Sequence, residues 1–395
     1  METPTRIDVE RMPGYPFFVA VIFWGFGGSI MAVSMVQIVL DSISCVLVYL
    51  LAEMVQKGSG ILSGILASLN IGMITYSLFI LNDSIFLLFF ILILIITVQF
   101  FRKPQWKNAF LLGAAIGIAT MIRPVSLYLP FFLTPLLFAR FTVGLRLPFL
   151  MSLQKSVLML IIFMFILAPW FARNYFHYGR FQLSAQSGEH LLQYIVPFTW
   201  QYSKGIPFIQ GMKKANEAFD KKGELMGWNT HNMNPFEKSD HQVKMAIGYL
   251  RQEPKTAILK AWFFGIVKNL FSPAIIDLSS LLNIERPHFF YTEGKTALER
   301  AWNFVKGMKG WFGWAMIGSM IALALCRILQ AWGLLWMMKN KLWESLFLIL
   351  IIGYFLLISG PVGYAKYRLP FEPILIIFMA IGIKDLYGRV IRYKV

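Results

Sequence analysis

The chain has 395 residues, of which 57% are hydrophobic and 14% charged, with a mean hydropathy of +0.61. That balance excludes an ordinary soluble domain. The net charge of +17 invites a polyanion-binding reading, but the basic residues sit in short connections between apolar runs, so no nucleic-acid partner is expected. The two cysteines, Cys45 and Cys326, both fall in apolar runs, which argues against a disulfide framework or a thiolate metal site.

In chain order, the first ten residues are polar and show no apolar signal core. "ERMPGYPFFVAVIF", Glu10 to Phe23, follows. A Pro-Gly-Tyr-Pro turn behind Arg11 is the kind of segment that joins two finished elements. A spanning helix needs about 20 mostly apolar residues. On that criterion nine spans are expected, at 30–53, 61–81, 83–101, 108–122, 125–140, 156–172, 311–335, 343–363 and 370–386. The fold class is therefore an all-α polytopic membrane protein. The short spans 108–122 and 125–140 are split by "MIRPVSLYLP", where Pro124 disfavours helix at Arg123. "GAAIGIA" places Gly113 and Gly117 four apart, a close-packing face between helices.

Alternate short connections carry Lys57; Arg102, Lys103 and Lys107; Arg140, Arg146 and Lys155; Arg327, Lys339 and Lys341; and Lys384, Arg389, Arg392 and Lys394. The opposite connections carry only Arg123, Lys366 and Arg368, a ratio of fourteen to three. By the positive-inside rule the first set is cytoplasmic, the C-terminus is inside and the "RMPGYP" segment is outside.

One long polar region divides the spans. The expected organisation is 1–29 as part of a first outer loop with a re-entry helix, 30–172 as membrane helices, 173–310 as an extracytoplasmic region, and 311–395 as C-terminal helices with a cytoplasmic tail. Within 173–310, "AIGYLRQEPKTAILKAWFFGIVKNLFSPAI" has apolar positions at helical spacing broken by Lys255, Lys260 and Lys268. It reads as an amphipathic helix lying on the membrane surface or capping a cavity. A hairpin dipping into the bilayer keeps the same parity and brings the span count to eleven.

Four arginine motifs fall at outer span ends: "RMPGYP" (Arg11), "MIRPVSLYLP" (Arg123), "APWFARNYFHYGRF" (Arg173) and "GYAKYRLPFEP" (Arg368). Guanidinium groups hold phosphate by bidentate, charge-assisted hydrogen bonds, so a phosphorylated lipid headgroup is the expected ligand. The plainer reading is that each arginine ends a helix and reaches toward the headgroups. Tyr15, Asn174 and Tyr367, in the same motifs, are expected to support the arginines. Asp83, in "LNDSIFLLFF", is the candidate catalytic acid, with a helix N-cap as the structural alternative. Asp41, within a span, reads as structural. His177, His190, His231, His241 and His288 show no ligand spacing such as HExxH. No metal ligand is assigned and a divalent metal stays open. Walker, dinucleotide and nucleophile-elbow motifs are missing from the sequence.

Taken in order, "RMPGYPFFVAVIF", "LNDSIFLLFF", "GAAIGIATMIRP", "APWFARNYFHYGRFQLS" and "YAKYRLPFEPILIIFMAIGI" resemble the GT-C superfamily of integral-membrane glycosyltransferases. The likeness is to bacterial enzymes similar to dolichyl-phosphate-mannose–protein mannosyltransferases and to the lipid A aminoarabinose transferase. The resemblance implies transfer of a sugar from a polyprenyl-phosphate donor to a lipid, glycan or protein acceptor at the outer face of a bacterial inner membrane. It also implies a general-base aspartate in the first outer loop and a second acid where Asp83 stands. The first helix and that loop aspartate have no counterpart here, so the chain is expected to be truncated at its front and inactive as written. A transporter or flippase of lipid-linked substrates, and a non-catalytic membrane scaffold, are the alternatives.

Overall fold

A computed structural model describes residues 8–228, 233–285, 292, 297–308 and 310–393. His231 and His288 lie outside the described residues. Among the described residues all regular structure is helical.

The N-terminal half runs α1 (Gly14–Phe26), α2 (Ile30–Val55), α3 (Gly60–Ser68), α4 (Ile71–Leu78), α5 (Asp83–Arg102), α6 (Trp106–Ile122), α7 (Leu129–Ala139) and α8 (Phe149–Tyr178). Gly27 (φ 61°) ends α1 in the left-handed region. Ser29 caps α2 by accepting from the Ala32 N–H. Asn70 caps α4 in the same way from Met73, at a 49° bend between α3 and α4. α5 is apolar on every side and is the most enclosed helix, with Phe86, Phe90, Phe100 and Phe101 all buried. α6 lies against α8 through the two glycines: a Cβ on Gly117 would come within 2.7 Å of the Ile166 side chain, and one on Gly113 would strike the Met159 carbonyl.

A second group of helices follows: α9 (Gln186–Glu189), a π-helical turn His190–Ile195, α10 (Val196–Ser203), α11 (Phe208–Leu225), α12 (Pro235–Gln252), α13 (Lys255–Phe271), α14 (Ile275–Leu281) and α15 (Ala297–Lys306). Leu192, Val196, Trp200, Ala215, Phe219 and Ala246 form a separate small core there. α13 and α14 are bent by 67°. The chain then enters α16 (Gly310–Asn340), α17 (Leu342–Ser359), the short α18 (Ala365–Arg368) and α19 (Glu372–Tyr393). α16 and α19 meet at Gly333 and Gly382, where neither position has room for a Cβ.

Among the described residues six helical segments are long and apolar enough to cross a membrane, and up to eight if each bent pair counts as one span. The expected nine all fall on helices, but the count differs for physical reasons. α6 has 17 residues, about 25 Å at 1.5 Å per residue, short of a ~30 Å hydrocarbon core. α19 opens on the buried Glu372 and carries Lys384, Asp385 and Arg389. A further departure concerns Arg327, expected in a connection: it lies well inside α16 and donates from Nε to the Leu270 carbonyl at 3.0 Å.

Candidate functional site

Pro124 forbids α6 from continuing, so Arg123 takes an extended backbone (φ −148°, ψ 118°) while its N–H still closes the helix on Ala119. The Asn82 side-chain amide donates to the Ile122 carbonyl at 3.2 Å and joins the start of α5 to the end of α6. These two local constraints bring Arg123 against Asp83. Arg123 Nη1 lies 2.5 Å from Asp83 Oδ1, and Lys366 Nζ of α18 lies 3.1 Å from Oδ2. Asp83 is fully enclosed, whereas Arg123 is 15% and Lys366 25% exposed at the side chain. The Lys366 contact is an ion pair without hydrogen-bond alignment, since Oδ2 has no hydrogen-bond partner among the described residues.

One carboxylate shared by two cations leaves a net positive charge, with the cations partly open and the anion closed off. Such an arrangement suits an anionic ligand at the cations better than a proton transfer at the carboxylate. The Phe86 ring supports the Arg123 guanidinium, 5.7 Å from its centroid. Burial pushes the Tyr367 phenol up, opposed by the Arg123 charge, which puts Tyr367 in the same electrostatic neighbourhood. Tyr15 donates to Gln37 Oε1 at 2.8 Å, and Gln37 in turn donates to the Phe79 carbonyl at 2.6 Å. Gly14 rests on α6, where a Cβ would sit 2.7 Å from the Met121 carbonyl oxygen. The "RMPGYP" turn is thereby seated beside Arg123.

The other arginines are engaged elsewhere. Arg173 donates to Asn174 Oδ1 at 2.6 Å and to the Asp8 carbonyl at 2.9 Å, and stacks 4.3 Å from the Trp170 ring. Asn174 and the Trp170 indole both donate to the Leu183 carbonyl, so Arg173 and Asn174 clamp the entering chain to the segment after α8. Arg11 is exposed, and its backbone N–H donates to Asp8 Oδ1 at 3.2 Å. Arg368 is buried, paired through Nε with Glu372 at 2.5 Å and donating from Nη1 to the carbonyls of Asn269, Leu270 and Ser272.

Sequence reasoning passed over Lys366, although it is one of only three basic residues on the short connections opposite the basic-rich set. It also missed Asp277, which accepts from the phenols of Tyr76 and Tyr364; nothing in the local sequence marks that residue. Among the described residues no group of three or more His, Cys, Asp or Glu side chains converges as a metal site would require.

The family model for dolichyl-phosphate-mannose–protein mannosyltransferase matches residues 10–172. That stretch carries the Asp83–Arg123 pair and ends one residue before Arg173. The fold is similar to that of the oligosaccharyltransferase of Archaeoglobus fulgidus, solved with a tethered acceptor peptide containing the NVT sequon (TM-score 0.53, 11% identity, 97% of this chain and 42% of that one). A second structure of an oligosaccharyltransferase from the same organism, with an inhibitory peptide and a dolichol-phosphate, gives a TM-score of 0.53 at 12% identity over 97% of this chain and 43% of that one. This chain thus spans less than half the length of those enzymes. No match to a curated protein sequence was found. The fold resembles that of the GT-C membrane glycosyltransferases.

Proposed function

We propose that the chain is a GT-C type membrane glycosyltransferase that moves a sugar from a polyprenyl-phosphate donor to a lipid, glycan or protein acceptor at the extracytoplasmic face. In this reading Arg123 and Lys366 hold the donor phosphate, and Asp83 fixes the two cations in place. The observation that carries it is the fully enclosed Asp83 between two partly open cations. When the acceptor hydroxyl attacks the anomeric carbon, a new C–O bond forms as the sugar–phosphate bond breaks; the electron pair of the broken bond leaves on the phosphate oxygen, and the hydroxyl proton passes to water or to the departing phosphate. Preorganised positive groups aimed at that oxygen stabilise the developing charge without reorganisation. The buried carboxylate keeps both cations in one geometry through the step and spares them from repelling one another. Arg173 and Asn174 serve the site by anchoring the "RMPGYP" segment, and Arg11 lies at its exposed end.

The matched family region and the similar fold support the class of reaction, and the cation pair supports a lipid-phosphate donor. The test is transfer of radiolabelled sugar from polyprenyl-phosphate donors in membranes containing the chain. Transfer lost in Arg123→Ala and Lys366→Ala supports the reading; transfer that persists in both variants rejects it.

A second reading draws on the two bent helix pairs. α4 meets α14 around a buried Asp277, and broken helices facing one another also occur at the substrate sites of transporters. Flux of a lipid-linked substrate across vesicles, without sugar transfer, would favour that reading.

A further inference from the structure

Residues 360–368, "GPVGYAKYR", run from α17 to the end of α18 pressed against α13. Gly360 turns with φ 57°, and its carbonyl oxygen occupies the place a Cβ on Gly265 would take. A Cβ on Gly363 would strike Lys268. The Lys268 ammonium donates to the Pro361 carbonyl at 3.1 Å, and Asn269 Oδ1 accepts the Tyr364 N–H at 2.9 Å.

Arg368 completes the seam. Its Nη1 reaches the carbonyls of Asn269, Leu270 and Ser272 at 2.9, 3.3 and 3.0 Å. The last carbonyls of a helix have no partner within it, and a cation there also meets the negative end of the helix dipole. Arg368 is therefore the C-terminal cap of α13, delivered from about a hundred residues further along the chain. Below it, Asp277 accepts from Tyr364 and, at 2.5 Å, from Tyr76, so one carboxylate ties the segment to both α14 and α4. Lys366 sits two residues before Arg368 in α18 and points the other way, to Asp83.

We infer that Arg368 and the Tyr364–Asp277 pair are positioning residues for the donor phosphate. They fasten residues 360–368 to the bend between α13 and α14 so that Lys366 stands against Asp83, and neither touches the donor. The inference rests on the phosphate reading given above. Arg368 could bind phosphate itself only by abandoning Glu372 and the three carbonyls, leaving the buried acid with only the Asn70 amide as a hydrogen-bond donor and the helix end with only the Arg327 contact at Leu270.

The experiment measures binding of a fluorescent polyprenyl monophosphate to the full chain in nanodiscs. It compares Lys366→Ala, Arg368→Lys and Tyr364→Phe, each alone and the last two also in the Lys366→Ala background. Lysine at 368 keeps a charge beside Glu372, and phenylalanine at 364 removes one hydroxyl only, so folding is retained in at least one arm. Lys366→Ala should weaken binding about tenfold, as expected for a lost charge-assisted contact. Arg368→Lys and Tyr364→Phe should weaken it about threefold to fivefold with Lys366 present, and less than about 1.5-fold without it, because residues acting through a shared partner are not additive. An equal loss from Arg368→Lys in both backgrounds makes Arg368 a direct ligand and overturns the inference. No loss from either positioning variant while Lys366→Ala weakens binding also overturns it, leaving the phosphate reading intact. Undiminished binding in Lys366→Ala overturns the phosphate reading and the inference together.

Discussion

Arg123 Nη1 and Asp83 Oδ1 stand 2.5 Å apart although 40 residues separate them in the chain, and the acid of the pair has no exposed surface. Breaking a buried pair by removing one partner typically costs about 3–5 kcal/mol, because the other charge stays uncompensated. Asp83→Ala should therefore lower stability by about 3 kcal/mol, read as thermal unfolding in detergent. In the Asp83→Ala/Arg123→Ala double variant part of that loss should return, with a coupling of about 1–3 kcal/mol. Strict additivity would mean that the two side chains do not interact.

Arginine at 123 should not be replaceable by lysine at no cost. A fork of N–H donors suits two phosphate oxygens, whereas an ammonium offers a point charge. Donor binding should fall in Arg123→Lys by about 1.5–3 kcal/mol, the range for a lost hydrogen bond to a charged group. Unchanged binding would show that any positive charge suffices.

The close approach of α6 to α8 predicts that Gly113→Ala is more harmful than an ordinary glycine-to-alanine change in a helix. A methyl group there meets the Met159 backbone, which cannot move aside as a side-chain tip can. Overpacking of this kind costs about 1–3 kcal/mol. By contrast, Gly25→Ala and Gly318→Ala, whose added Cβ atoms have open space, should not destabilise the protein. Equal effects at all three positions would contradict this packing.

These elements differ in how far the sequence revealed them. Hydropathy located the spans because a lipid-facing helix must be apolar along its length, and the proline after Arg123 marked a helix end by local sterics. The roles of Lys366 and Arg368 were not separable from "YAKYR", because residues two apart on a helix face different directions. Lys366 turns to Asp83 and Arg368 to Glu372, and only the packed neighbours decide which is open. Arg327 escaped placement for a related reason: a hydropathy window registers its charge but not the Leu270 carbonyl that receives it. Asp277 meets Tyr76 across 201 residues of sequence, a distance at which local pattern carries no information.

Stability of the region between α8 and α16 should depend on pH through His190. Burial holds the His190 imidazole below its ordinary value of 6.5, so the folded form prefers it neutral. Its contribution is fully present above pH about 6.5 and is lost as pH falls through the lower folded value, since the unfolded chain takes up the proton first. Thermal unfolding of the wild type should shift downward as pH falls below about 6.5, and the His190→Gln variant should show a shallower dependence. Identical slopes would remove His190 as a source of acid sensitivity.

The charge asymmetry of the short connections predicts which side the site faces. A cysteine replacing the exposed Lys221 of α11 should react with an impermeant thiol reagent added outside intact cells, and one replacing Lys103 should not, each in a background with Cys45 and Cys326 replaced. The reverse pattern would place Asp83 and its cations on the cytoplasmic side.

The most direct measurement is a cryo-electron microscopy map of the full chain in nanodiscs with a polyprenyl monophosphate bound. The phosphate should lie within hydrogen-bond reach, about 2.7–3.2 Å, of both the Arg123 guanidinium and the Lys366 ammonium, with Asp83 behind them and Arg368 still on the end of α13. A phosphate bound at Arg173 or Arg11 instead, or one held by Arg368 away from Asp83, would contradict the account.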